Sequence, residues 1–361
     1  MTVPIQSIVA GAAMALSGAT AEPPKPQDPQ PSQPAKNVFN PQMSIVTDFR
    51  GILIDNHGEK EWKLNELEFG FAADVDPFLR AEAYISVHKS GHHHHEEGME
   101  EGHDEYEIEI EEAFGVYSGL GGGWQVKLGK FAGAVGRIQR NHIDQLNFLD
   151  YPFVIQDLFG DHGLRAPGVH ASYLFPGQQF LELTLEAVQA EDGPLFEHAK
   201  LDKPVWIGRL RTFFDFSEDL SAQLGGSILT GPRDEDRATV FGLDYTMKWQ
   251  PGQKGQSAVF EAEAYWANSN EPGFSSTFGA FAALTYQVAP RVFLTGRFDY
   301  SELPGTSDVR RGFGGNVTYR LSEFQLLRLE LMRITSNFDD PRTVLTFQFQ
   351  YLIGAHPAHK Y

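Results

Sequence analysis

One short segment of the chain is crowded with side chains that can bind metal ions. Residues 88–112 contain six histidines and ten carboxylates against one lysine, a formal charge of −9 within a chain total of −19. Imidazole nitrogens and carboxylate oxygens form the ligand set of Zn²⁺ and related divalent ions. No regular spacing defines a single site, so the segment predicts weak capture of a divalent metal such as zinc, with no cofactor required. The predicted ligands are His88, His92, His93, His94, His95, Glu96, Glu97, His103 and Asp104.

A second interpretation of the same segment stays open. A loop that is only hydrophilic and solvated also carries many charges, and its histidines then have no shared role. In the metal-binding interpretation, the rest of the protein serves mainly as a surface anchor for this His/acid loop, residues 88–112.

The composition excludes several classes of protein. The 361 residues include no cysteine, which removes disulfides, thiolate metal sites and cysteine nucleophiles. Nucleic-acid binding is not expected, because phosphate contacts need an excess of lysine and arginine. General disorder is excluded by 28 Phe, 12 Tyr and 5 Trp residues. The chain has no G-x-S-x-G, H-E-x-x-H or P-loop motif, so we expect no enzyme activity.

The body of the chain alternates apolar and polar residues with a period of two. Leu67, Phe69 and Phe71, for example, interleave with Glu66 and Glu68. About sixteen such runs follow one another, joined by short turns that alternate with longer, charged loops. This pattern predicts an all-β, up-and-down antiparallel transmembrane barrel, with short periplasmic turns and longer extracellular loops. A soluble, secreted β-protein is the alternative that periodicity alone leaves open.

In such a barrel, the polar face of each strand lines an aqueous lumen. The predicted pore-lining residues are Glu66, Glu68, Glu82, Glu109, Lys127, Arg137, Arg140, Asp144, Glu182, Arg211, Glu261, Glu263, Arg297, Asp299 and Arg328. The early strands are mainly acidic and the later ones carry more arginine, which suggests a transverse field between two walls. The acidic total favours a modest preference for cations.

The N-terminus predicts export from the cytoplasm. Residues 1–21 carry no charge and end in Ala19-Thr20-Ala21, the small-residue pattern of a signal-peptide cleavage site. Residues 22–39 are rich in proline and are expected to form an extended periplasmic spacer. The barrel itself is then expected to occupy residues 40–361.

Several short motifs give the chain a family resemblance. They are Asn40-Pro41, Leu64–Phe69, Glu111–Phe114, Lys127–Phe131 and Asp150–Phe153. With these motifs the chain resembles Gram-negative outer-membrane porin-like proteins labelled zinc-regulated outer-membrane receptors and, more distantly, phosphate-selective porins. The resemblance implies a location in outer-membrane lipid and passive diffusion of small hydrophilic solutes or cations. A homotrimer is implied by the same analogy.

The longest connection, residues 137–167, is the third long loop in chain order. In the porins that the chain resembles, the loop at this position folds into the barrel and narrows it. Here the loop mixes apolar residues such as Phe148 and Ile155 with charged residues such as Arg137 and Asp144. Apolar contacts would pin the loop to the wall, which makes it a candidate constriction, whereas an outer lid is the alternative.

Overall fold

The computed structural model describes residues 41–55, 58, 60–89, 106–252 and 256–354. The predicted signal peptide and spacer lie outside the described residues, as do 90–105 of the His/acid loop. The strands are β1 Gln42–Ile54, β2 Lys60–Asp74, β3 Leu79–Lys89, β4 Tyr106–Tyr117, β5 Trp124–Ala132, β6 Arg165–Leu174, β7 Leu181–Val188, β8 Val205–Asp215, β9 Leu220–Arg233, β10 Asp236–Trp249, β11 Ser257–Ser269, β12 Thr277–Ala289, β13 Val292–Glu302, β14 Val309–Ser322, β15 Gln325–Ser336 and β16 Arg342–Gly354.

The strands form one closed antiparallel barrel. Each strand pairs with its neighbours in sequence, and β1 closes the sheet against β16, with Val46 opposite Leu352 and Arg50 opposite Gln348. The strands are 8 to 15 residues long, several of them well above the usual five or six of a soluble sheet. The predicted sixteen-strand up-and-down barrel is therefore confirmed.

The connections differ most in length around the first half of the barrel, and the alternation of short and long is weaker in the second half. Residues 290–291 and 323–324 make tight turns at one rim, whereas 133–164 make a long connection at the other. The charged residues 231–237 predict one of the longer loops, and this prediction is wrong. There β9 runs to Arg233 and β10 begins at Asp236, because Asp234 adopts a left-handed conformation (φ 47°) that allows a tight hairpin turn.

The outer surface of the barrel is apolar and the inner surface is polar. On β10, Phe241 and Leu243 are 54% and 53% exposed, whereas the next residue, Asp244, faces the lumen and is 2% exposed. Exposed aromatic rings lie near strand ends at both rims, including Trp62 and Trp124. An apolar belt between two aromatic rims is the pattern of a barrel that spans a bilayer.

Helices contribute little to the fold. The described residues contain one α-helix, α1, at Phe153–Phe159, and two single-turn 3₁₀ helices at Ile138–Arg140 and Ile143–Gln145. None of these helices is long and apolar enough to cross a membrane. All three belong to the connection between β5 and β6.

Replacing Leu243 by arginine tests the position of the lipid-facing belt. Because Leu243 points outward at the middle of β10, Leu243→Arg should lower the free energy of unfolding by about 2–4 kcal/mol in lipid vesicles. The same change at Leu321, near the end of β14, should cost only about 0–1 kcal/mol. Denaturant unfolding followed by tryptophan fluorescence gives both values, and equal costs would contradict the predicted depth.

Candidate functional site

The connection between β5 and β6 folds into the barrel. We call residues 133–164 the inner loop; it starts four residues before the predicted boundary, and predicted loop residues 165–167 belong to β6. Its helix α1 packs against β12, β13 and β14. The long connection thus lies within the lumen and does not form a lid outside it.

Apolar side chains of the inner loop form a core with the inner wall. Val154, Ile155 and Leu158 are almost fully buried in one cluster with wall residues that include Tyr265 and Phe281. The ring of Phe148 meets that of Phe281 edge-on with their centres 6.1 Å apart. Burial of this many apolar groups stabilises the loop against the wall, at about 25 cal/mol per Å² removed from water.

The first part of the inner loop is held by carboxylates of the opposite wall. Glu263 Oε1 on β11 accepts hydrogen bonds from the backbone N–H groups of Arg137 and Ile138, at 2.6 and 2.8 Å. The Arg137 side chain also pairs with Glu261. The backbone approaches the wall closely here, since a Cβ at residue 136, a glycine with φ 63°, would lie 2.0 Å from the Tyr265 hydroxyl. Only glycine fits this approach.

The middle of the inner loop is held by arginines of the wall. Arg328 on β15 donates to the carbonyl of Leu146 at 2.8 Å, and Arg50 on β1 donates to that of Leu149 at 2.9 Å. Arg297 on β13 donates to the carbonyl of Asp150 at 2.9 Å. Backbone groups that lack a secondary-structure partner are thus satisfied by side chains from strands around the barrel.

The second half of the inner loop has its own polar anchors. The N–H of Phe153, the first residue of α1, donates to Asp299 Oδ1 on β13 at 3.2 Å. One turn later, Asp157 forms an ion pair with Arg310 on β14, with 2.6 Å between Oδ1 and Nη2. The guanidinium of Arg310 also lies over the Phe153 ring, 4.0 Å from its centre. The helix is therefore fixed at both ends.

A buried histidine joins the inner loop to strands β2 and β4. His142 Nδ1 lies 2.7 Å from Glu68 Oε2 and 3.2 Å from Glu111 Oε2, and its Nε2 lies 3.4 Å from Glu112 Oε1. Arg165 adds a second positive charge 3.7 Å from both Glu111 and Glu112. Burial alone would lower the pKa of His142, but the charge of Glu68 and the contacts with Glu111 and Glu112 raise it well above its ordinary value.

A cavity lies between the inner loop and the rim of short turns. It has a volume of about 620 Å³ and is lined by turn residues 76–78 together with Arg140 of the loop and charged residues of the wall, among them Glu82, Lys127 and Arg211. Burial, followed by the like charges of Arg209 and Arg211, lowers the pKa of Arg140 to about 10. Among the described residues, no carboxylate forms an ion pair with Arg140. Arg140 is thus a cation of the cavity that a solute can approach.

The structure places all fifteen predicted pore-lining residues on the lumen side of a strand or in the inner loop, but many do not face open water. Glu263, Arg297 and Arg328 are 3–5% exposed, because the inner loop covers them. Charges on adjacent strands also neutralise each other, as in the 2.8 Å pair of Arg211 with Glu182. This local pairing weakens the transverse field expected from the sequence.

Of the nine predicted metal ligands, only His88 belongs to the described residues. Its ring stands beside that of His162, a residue that the sequence pattern did not select. The sequence prediction also missed Arg50, His142 and Arg165 as anchors of the inner loop. One signal for the His142 cluster was present, since the adjacent acids Glu111 and Glu112 break the alternation of β4 and produce a bulge opposite Tyr84 and Ile85.

The chain has a relative among known protein sequences. No family model matches the chain. A protein of Aquifex aeolicus (strain VF5), described as uncharacterized, is 24% identical to this chain over an alignment of 399 residues, gaps included. The alignment covers 91% of this chain and 81% of that protein.

Solved structures share the fold. An anion-selective porin from Comamonas acidovorans matches with a TM-score of 0.59 and 12% identity, over 87% of this chain and 99% of that one. The outer membrane channel DcaP of Acinetobacter baumannii matches with 0.58 and 12%, over 87% and 97%. The trimer form of OmpT, an outer membrane protein of Vibrio cholerae, matches with 0.57 and 9%, over 87% and 99%.

These matches, with the closed sixteen-strand barrel and its apolar belt, define a porin-like barrel of the bacterial outer membrane. The predicted fold and location are confirmed. At such low identity, the likeness shows the fold alone. Nothing in these comparisons supports the resemblance to zinc-regulated receptors.

The raised pKa of His142 makes the anchoring of the inner loop dependent on pH. The charged imidazole contributes fully to stability below its unfolded pKa of about 6.5, and the contribution is lost as pH rises through the raised folded pKa. Breaking this buried cluster with His142→Gln should cost about 3–5 kcal/mol at about pH 6 and less in alkaline solution.

Denaturant unfolding between about pH 6 and about pH 10 measures this difference. His198→Gln is the matched control, since the side chain of His198 is 61% exposed at the rim and its loss should leave the profile unchanged. Parallel pH profiles for the wild type and His142→Gln would contradict a charged His142 in the folded state.

Proposed function

We propose that this protein is an outer-membrane diffusion channel for small hydrophilic solutes, narrowed by the inner loop. The observation that carries the proposal is the loop itself, residues 133–164, which lies inside a closed barrel and is bonded to many of its strands. A barrel that served only as an anchor would need no such loop. The porin and channel descriptions of two structural neighbours support the same function.

We infer a modest preference for cations that arises at the extracellular mouth. Most wall charges near the inner loop are paired, whereas the sequence that joins β3 to β4, residues 90–105, contains six carboxylates and no lysine or arginine. The Comamonas porin is described as anion-selective, and Arg140 in the cavity below the loop would favour anions in this chain. The ion preference then depends on the negative charge of the mouth relative to the positive charge of the cavity. Salt screens the exposed charges of the mouth more strongly than those of the cavity.

A homotrimer is proposed from the trimer form of the OmpT neighbour. Outer-membrane lipid covers the remaining apolar belt. Mass measurement of the detergent-solubilised protein, with the detergent subtracted, distinguishes a trimer from a monomer.

A second proposed function is capture of divalent metal by the His/acid loop. Its support is the sequence of residues 88–112, most of which lie outside the described residues. Replacing His92, His93, His94 and His95 together by alanine and titrating Zn²⁺ by calorimetry tests it. Unchanged Zn²⁺ binding would show that these four histidines do not capture the metal.

Planar-bilayer recording tests the channel and the role of the inner loop together. Glu263→Ala removes the acceptor of the Arg137 and Ile138 N–H groups, at a cost of about 1–3 kcal/mol per unsatisfied group. The released loop should give larger and noisier conductance steps than the wild type. Absence of discrete steps from the refolded wild type would exclude a pore.

Glu302→Ala is the matched control for this experiment. Glu302 also accepts a backbone N–H, from Phe278 at 2.8 Å, and a tyrosine hydroxyl, from Tyr300 at 2.8 Å, but both partners belong to the wall. Its replacement should leave the conductance unchanged. If both variants conduct like the wild type, the inner loop does not set the width of the pore.

Reversal potentials in a KCl gradient test the ion preference. Arg140→Gln removes one positive charge from the cavity, so the preference for K⁺ over Cl⁻ should increase. An anion-selective wild type would contradict the proposed preference.

A further inference from the structure

Two histidines and a glutamate meet near the rim where β3 ends and β4 begins. His88 lies on β3, Glu109 on β4 and His162 near the end of the inner loop. Each offers one ligand atom, and these three atoms lie within 4.8 Å of one another. All three residues are partly exposed, so water and ions can reach them.

The fold brings these residues together from three elements. Ser86 stands directly opposite Glu109 in the β3–β4 pair, so His88, two residues further along β3, is the diagonal neighbour of Glu109 on the same face of the sheet. His162 comes from the turn that precedes β6, and the buried Arg165 donates to its backbone carbonyl. The position of His162 is therefore set by the anchored loop and not by the β3–β4 hairpin.

The ring nitrogens of both histidines are available to a ligand. The centres of the two rings are 5.2 Å apart. His88 Nδ1 has only a long contact of 3.4 Å with Ser86 Oγ, and no hydrogen bond to the His162 ring exists among the described residues. Glu109 Oε1 accepts a bond from Lys130 Nζ at 3.1 Å, so its carboxylate already faces a positive charge.

We propose that His88, Glu109 and His162 bind one divalent transition-metal ion of the Zn²⁺ class. Two imidazole nitrogens and one carboxylate oxygen suit Zn²⁺, Cu²⁺, Ni²⁺ or Co²⁺, whereas Mg²⁺ and Ca²⁺ prefer oxygen ligands alone. Metal–ligand bonds of about 2.0–2.2 Å require these partly exposed side chains to close inward from their present separation. Three protein ligands leave a coordination position for water.

The ion would displace Lys130 from Glu109 and bind in its place. Lys130 Nζ also lies 4.0 Å from the exposed Glu191, so the displaced ammonium has a second carboxylate nearby. Because His162 belongs to the inner loop, a bound ion would tie the end of that loop to β3 and β4. The site shares His88 and Glu109 with the His/acid loop but uses none of His92–His95, so a variant that lacks those four histidines tests the two proposals separately.

The buried cluster around His142 is less suited to a metal ion. His142 already has carboxylates on both ring nitrogens, and Arg165 stands beside the same acids. A metal ion there would have to displace a buried charge that the surrounding acids stabilise. The three-ligand site at the rim needs no such exchange in the interior.

Titration of the full chain in detergent with Zn²⁺ by calorimetry, and with Co²⁺ by visible absorption, tests the site. The variant with alanine at His92, His93, His94 and His95 should retain one bound ion per chain with imidazole-type Co²⁺ absorption. His162→Gln, in that background, should weaken this binding by at least about tenfold, and Glu109→Gln should do the same. His198→Gln is the control: it removes the histidine of another His/acid group at the rim, formed with Glu197 and Asp234, and should leave this binding unchanged.

Two results would overturn the proposal. One is loss of all binding in the four-alanine variant, which would assign the ions to His92–His95. The other is equal binding by His162→Gln and its parent. Circular dichroism and the conductance of each variant show whether it folds, and a folded, conducting variant that lacks the ion separates the metal site from the channel function.

Discussion

The pairing of β1 with β16 is the constraint on which the structure depends. In a bilayer, each strand must find partners for its backbone N–H and C=O groups within the protein, and an open edge would leave a row of them unpaired in hydrocarbon. Closing the sheet removes that edge and also creates two unlike surfaces. The outer surface must be apolar, so the polar side chains of the strands are confined to the lumen.

That confined set of polar groups explains how an irregular loop can lie inside the barrel. The inner loop has little regular secondary structure, so many of its backbone groups need acceptors or donors from elsewhere. Arg50, Arg297 and Arg328 supply donors to its carbonyls, while Glu263 and Asp299 supply acceptors for its N–H groups. Many of the wall charges therefore bond to the inner loop and hold it in place. Fewer of them remain to interact with a passing ion.

The strands were predictable from the sequence because a two-residue period is local information. Leu67, Phe69 and Phe71 identify their strand without knowledge of any other segment. The hairpin at Asp234 was missed because the charged residues there resemble a long loop. A residue with left-handed backbone geometry allows a turn of only two residues at this point. The anchors of the inner loop were not predictable, since Arg328 and Leu146 lie 182 residues apart and meet only when barrel register and loop path are both known. The position of His162 was not predictable for the same reason, because His162 lies in the inner loop whereas His88 and Glu109 lie on β3 and β4.

The location of the unneutralised charge follows from these pairings. Arg209 with Asp244, Arg211 with Glu182 and similar pairs make the wall around the inner loop nearly neutral over short distances. Much of the formal charge of −19 lies elsewhere in the chain, since residues 90–105, which join β3 to β4, contain six carboxylates and no lysine or arginine. Cations would then be concentrated before they reach the narrow part of the lumen. In the proposed channel, the inner loop would set the size of the solutes that pass and the acidic mouth would set the ion preference, so a substitution in one would leave the property set by the other unchanged.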